Sequence, residues 1–164
     1  MDPLRELFCH HAWATRALID HCANLSPEQL QRTVPGTAGT IHHTLTHLVA
    51  ADGRYLFLMT GVGPTVQESA QPSLRELRER FDDQVQRWDA VLNRLDELDP
   101  TLPARGGWPA TRHARNLLLL QALHHGNDHR THICTVLGAH NLPVPELDGW
   151  HYWLATRPRE DKAD

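Results

Sequence analysis

Thirteen histidines occur in this 164-residue chain, and a few fall at spacings that suit metal coordination. His125 and His129 stand at i and i+4. On a helix these positions share one face, and two such rings can meet a single ion at nitrogen–metal distances of ~2.1 Å. On a helical wheel of about 100° per residue with His129 at zero, His125 lies at about −40° and His132 at about −60°. Leu118, Ala122 and Val136 fall within about 20° of zero, and Ile133 at about 40°. Three imidazoles therefore interrupt the stripe that should face a core, while His113 and His124 lie on the far side.

An earlier segment supplies a third candidate. With Leu48 at zero, its apolar arc contains Ile41, Leu45, Ala51, Tyr55, Leu56 and Leu58. His47 lies at the border of that arc at about −100°, and His43 further toward solvent at about −140°. His47 is thus the histidine of this segment best placed to look inward. Asp52, at about +40°, lies inside the arc, where an acid needs a partner.

The chemistry implied is a divalent metal held between helices by His47, His125 and His129. Three protein ligands leave positions open for water or substrate, as in catalytic sites. His132 rises ~10 Å along the axis from His125. It is expected beside the metal, either behind the ligands or facing a substrate, rather than as a fourth ligand. All-nitrogen ligation suits Zn, Ni, Cu or Fe. Such an ion acts as a Lewis acid or lowers the pKa of a bound water or thiol. Two other readings use the same residues. One is a non-catalytic metal-binding or dimerising bundle stabilised by its ion. The other is a metal-free stripe of neutral core histidines, destabilised by acid.

The elements that must position these groups read as long amphipathic helices. Asp2 with Pro3 is a cap and first-turn pair, and Leu4, Leu7, Phe8, His11, Leu18 and Cys22 follow helical spacing to about Asn24. Ser26-Pro27-Glu28-Gln29 is a capping box for a short helix. Thr40 caps a second long helix to about Thr60, ended by Gly61. Ser73-Leu74-Arg75-Glu76 opens the third, with Leu74, Leu77, Phe81, Val85, Trp88, Leu92 and Leu95 in period. Pro100 and Pro103 close it. Gly106-Gly107-Trp108-Pro109 is a loop, and Thr111 is the candidate cap of the fourth long helix, which ends near Gly138. A short helix covers Trp150 to Thr156. The expected fold is all-α, a four-helix bundle over residues 1–157 with a short extra C-terminal helix, followed by a charged, disordered tail at 158–164.

Composition narrows the function. Sixteen Lys plus Arg against 20 Asp plus Glu give a formal net charge of −4, which argues against a nucleic-acid partner. No run approaches the ~20 apolar residues of a membrane span, and the first residues lack the pattern of a signal peptide. Cys9, Cys22 and Cys134 are odd in number and form no C-x-x-C pair, which fits a reducing cytoplasm. There is no E-x-x-H for a ferritin-like di-iron site, no H-E-x-x-H, no Walker A loop and no G-x-G-x-x-G. Cys134, at about +140° from His129, points away from the site. Cys9 could face the bundle but has no identified base. The five tryptophans, Trp13, Trp88, Trp108, Trp150 and Trp153, read as core and interface residues.

Four stretches carry a family resemblance: His11-Ala12-Trp13-Ala14, Leu25-Ser26-Pro27-Glu28-Gln29-Leu30, Thr44-Leu45-Thr46-His47-Leu48-Val49-Ala50-Ala51-Asp52, and His125-Gly126-Asn127-Asp128-His129-Arg130. In this order the chain resembles the DinB/YfiT-like family of small helical metalloenzymes. The resemblance implies an up-and-down four-helix bundle with an unusual connection, often a homodimer. It also implies one metal ligand on the second long helix and an H-x-x-x-H pair on the fourth, matching His47, His125 and His129. Some members resemble thiol-dependent transferases and isomerases. A small-molecule substrate and a low-molecular-weight thiol cofactor are implied with them. The family often continues its last motif as His-Arg-Gly-Gln. Here Thr131 stands for a glycine that allows close helix approach, and His132 for an amide near the site. Arg130 matches the family and either binds a substrate carboxylate or holds an ion pair between helices. Asp52 orients a ligand ring, acts as a base, or pairs with an arginine. His11 either lines the pocket or packs with its hydrogen bonds met.

Overall fold

The computed structural model describes residues 2–63, 71–98, 101 and 114–157. Four long helices form its body: α1 (Pro3–Cys22), α3 (Ile41–Thr60), α4 (Leu74–Asn93) and α5 (Ala114–Ala139). The short α2 (Pro27–Leu30) follows α1, and α6 (Gly149–Thr156) follows α5. No helix among the described residues is long and apolar enough to cross a membrane.

Local chemistry explains most of the boundaries. Asp2 accepts from the Leu4 N–H at 3.0 Å, and Pro3 occupies the first turn of α1. Ser26 with Gln29 and Ser73 with Glu76 form reciprocal capping boxes on α2 and α4, each meeting two otherwise orphaned donors. Thr40 accepts from the His43 N–H, and Gly61 ends α3 in the left-handed region at φ 71°. Asp148 accepts from the N–H groups of Trp150 and His151 to start α6.

Two ends differ from the sequence expectation. α4 stops at Asn93, well before Pro100, and a 3₁₀ turn (Leu95–Glu97) follows. Arg115 takes the Leu95 and Leu98 carbonyls at 2.7 and 2.6 Å, so those groups do not need to continue a helix. At the end of α5, Gly138 remains inside the helix. Asn141 instead takes the positive φ of 54°, and the Leu142 N–H returns to the Leu137 carbonyl at 2.9 Å. Pro103, the Gly106–Pro109 loop, Thr111, His113 and the charged tail at 158–164 lie outside the described residues.

Each long helix packs against two others, in the spatial order α1–α4–α3–α5 and back to α1. Side-chain pairs give the directions. Arg5 meets Asp89 and Asp20 meets Arg78, so α1 and α4 are antiparallel. Val49 is bonded by Gln84 and Asp52 by Trp88, so α3 and α4 run parallel. His47 lies against His129, and Tyr55, further along α3, against the earlier His125, so α3 is antiparallel to α5. The bundle therefore runs up–down–down–up, and the unusual connection is the one between α3 and α4.

The core divides along the bundle. One layer holds Leu18, Ile41, Leu45, Leu77, Phe81 and Leu137. The other holds Phe8, Tyr55, Leu56, Trp88, Leu118 and Ala122. α3 is the most deeply buried helix and contributes to both. Its Gly53 lets α4 approach: a Cβ there would stand 2.7 Å from the Gln84 amide nitrogen. Of the tryptophans, Trp88 is core, whereas Trp150 and Trp153 stay exposed on α6. That short helix buries only Tyr152.

Candidate metal centre

α3 and α5 make the broadest helix–helix contact of the bundle, and the histidine cluster sits within it. His47 extends from α3, and His125 and His129 from successive turns of α5. Their candidate ligand nitrogens all lie within 4.8 Å of one another. The His47 and His125 Nε2 atoms are 3.0 Å apart. Ring centroids are 4.2 Å apart for His125 and His129, and 4.8 Å for His47 and His129. Two ligands ~2.1 Å from a tetrahedral ion stand roughly 3.4 Å apart, so the spacing and the all-nitrogen donor set fit a transition-metal ion. The wheels and the family pattern had selected these same three residues.

Within the cluster, His125 is held as the neutral imidazole that ligation needs. Burial, followed by the nearby His129 and His47, lowers the His125 pKa to about 4. Asp52 opposes that shift, and Arg54 adds to it slightly. A neutral ring keeps a lone pair for a metal. Around the three rings stand further side chains. Tyr55 presents its ring at 89° to His125, with centroids 5.8 Å apart. His43, exposed, stacks on His47. His132 lies edge-on to His129 at 5.6 Å, outside the converging set, and its buried Nδ1 makes no hydrogen bond among the described residues.

Behind the cluster is a buried polar chain. Asp52 Oδ2 accepts from the Trp88 indole N–H at 2.9 Å. Its Oδ1 is 3.5 Å from His11 Nε2, longer than a good hydrogen bond. Arg130 Nη1 donates to His11 Nδ1 at 3.1 Å and to Thr15 Oγ1 at 3.0 Å. A guanidinium only donates, so His11 Nδ1 is an acceptor and the ring hydrogen sits on Nε2. Burial lowers the Arg130 pKa to about 10, with Asp52 opposing, and the group stays charged at neutral pH. The neutral His11 ring therefore separates a buried cation from a buried carboxylate. Arg130 is 4% exposed and turns toward α1 rather than to solvent. Asp52 finds an indole and an imidazole, rather than an arginine, as its nearest partners.

Sequence reasoning missed Gly126. A Cβ there would fall 2.6 Å from His11 Nδ1 and 3.0 Å from Arg130 Nη1. The close approach of α1 to α5 therefore rests on Gly126, between the two α5 histidines, and not on position 131, where exposed Thr131 only returns its hydroxyl to the Asn127 carbonyl. The available signal was a glycine in mid-helix, which costs about 1 kcal/mol relative to alanine and marks a packing need. Most of the remaining histidines have structural work. His10, His21, His42 and His140 each bond a backbone carbonyl of a connecting segment, at 2.8, 2.8, 2.9 and 3.1 Å. Cys9 is exposed and Cys22 buried.

An all-helical bundle with three histidines converging between two antiparallel helices defines the class. Residues 10–133 match the family model of the DinB superfamily, and the chain belongs to that superfamily. No curated protein matches the chain.

Proposed function

We propose that this protein is a metal-dependent enzyme acting on a small molecule, as a thiol-dependent transferase or a hydrolase. His47, His125 and His129 hold one divalent ion, with Zn, Ni and Fe as the leading candidates. The observation that carries the reading is the convergence of three half-buried imidazoles from two helices. When bound, the ion supplies Lewis acidity and lowers the pKa of a water or thiol. The chain's own residues do the rest. His125 stays neutral through burial and its two neighbours. His132, edge-on to His129, stands beside the ligands rather than among them, and in this reading it faces substrate. Asp52 and Arg130 act through His11, seating α5 and its histidines against α1 and α3. A cytoplasmic location and a homodimer belong to the same reading, and three free thiols suit a reducing compartment.

The test is elemental analysis of protein purified without a histidine tag, beside His47→Ala, His125→Ala and His129→Ala. Circular dichroism establishes that each variant is folded. The expected result is about one metal per chain in the parent, lost in every folded variant. Metal removal should leave the chain folded, as expected for a catalytic ion, whereas a structural ion would take the fold with it. A folded parent that stays metal-free after reconstitution with Zn, Ni and Fe refutes the reading.

A further inference from the structure

A cavity of about 600 Å³ lies between α1 and α4, on the opposite edge of the helix ring from the histidine cluster. That volume is in the range of small-molecule sites, which in bundles form between helices. Its interior is apolar and aromatic, with Phe8, Ala12, Val85, Trp88 and Leu92 along the two helices. α6 adds Tyr152, whose ring stands 5.6 Å from that of Trp13.

The charges around the cavity are all paired. Arg5 meets Asp89 at 3.0 Å, Arg78 meets Asp20 at 2.6 Å, and Arg16 meets Asp82 at 2.6 Å. An ionic ligand would have to break one of these pairs to find a counter-charge. His11 lines the cavity and is 3% exposed, and its Nε2 is turned to Asp52 Oδ1, 3.5 Å away on α3. Its bond to Arg130 places the ring hydrogen on that same Nε2.

We propose that the α1–α4 cavity is a binding site for a neutral, largely apolar small molecule. The site is separate from the metal centre and does not rest on it. Occupancy would nevertheless bear on that centre, because His11 packs against Gly126 and Arg130, the neighbours of His125 and His129.

The experiment titrates the full, metal-stripped chain with N-phenyl-1-naphthylamine, a neutral fluorescent probe. It reads probe emission together with quenching of the cavity tryptophans. Ala17 and Leu92 line the cavity and are half-buried, so Ala17→Phe and Leu92→Phe fill it from different helices. Trp150, 82% exposed on α6 and outside the lining, serves as a control through Trp150→Ser. The expected result is one saturable site per chain, weakened at least tenfold in whichever filled variant keeps the parent circular dichroism, and unchanged in Trp150→Ser. Equal binding in the folded filled variants overturns the proposal, as does a parent that binds no probe. If the parent excludes the probe, is dimeric by sedimentation and becomes monomeric on filling, the cavity is an interface between copies and the proposal is wrong.

Discussion

Gly126→Ala places one methyl group where α1 and α5 come closest. The new Cβ would stand 2.6 Å from His11 Nδ1 and nearer still to His11 Cε1. His11 cannot easily yield, because it is buried between Asp52 and Arg130. Overpacking of this kind costs about 1–3 kcal/mol. Displacing His11 also weakens a hydrogen bond to a charged group, worth about 1.5–3 kcal/mol. Replacing a mid-helix glycine returns about 1 kcal/mol. The net is a destabilisation of about 2–4 kcal/mol, or a fall in Tm of roughly 5–15 °C for a domain of this size. Urea and thermal unfolding measure it directly. The His11→Ala background provides the decisive control. Without the imidazole the methyl group has space, and Gly126→Ala should then be neutral or stabilising by up to about 1 kcal/mol. A variant as stable as the parent, or an equal cost in both backgrounds, would refute the close approach described for α1 and α5.

Further outcomes follow from the same structure. The His125 pKa is lowered to about 4 in the folded chain, against ~6.5 when unfolded. Between those values the unfolded state binds the extra proton, so stability of the metal-free chain falls as pH drops from about 6.5 toward 4. Urea midpoints at several pH values should show this slope, flattened in His125→Gln; an identical slope in that variant would contradict it. Trp88→Phe removes the N–H that Asp52 accepts and should cost about 2–4 kcal/mol in urea unfolding, while a cost within ±0.5 kcal/mol would count against that bond. Burial pushes the Cys22 thiol up to about 12 and raises that of Cys134, whereas Cys9 is exposed. A thiol reagent should therefore label one cysteine rapidly in native protein and all three after denaturation; rapid labelling of Cys22 in the folded chain would contradict its burial.

Much of this protein was legible in its sequence because the signals are local. The caps at Asp2, Ser26, Thr40 and Ser73 act within a few residues of themselves, and each was readable as written. The apolar arc read on the second long helix is buried as drawn. A three-histidine cluster was also readable, since i, i+4 spacing on one helix and an inward histidine on another leave few ways to converge. Reading failed where a remote partner decides. α4 stops at Asn93, and Arg115, from another helix, holds the Leu95 and Leu98 carbonyls of the turn that follows. Of the tryptophans read as core and interface residues, Trp88 is core, while Trp150 and Trp153 stay exposed on α6, with the Arg157 guanidinium over the Trp153 ring.

The sequence by itself therefore determined which segments are helical, which faces are apolar and which imidazoles can share a site, because backbone periodicity and capping depend on near neighbours. Only the tertiary structure decided that α3 and α4 run parallel. It alone set His11 between Asp52 and Arg130, and Gly126 as the point of closest approach. It alone opened a cavity between α1 and α4, opposite the histidines. These features depend on which helices become neighbours and at what depth. That is settled by packing among residues far apart in the chain, which no single segment records.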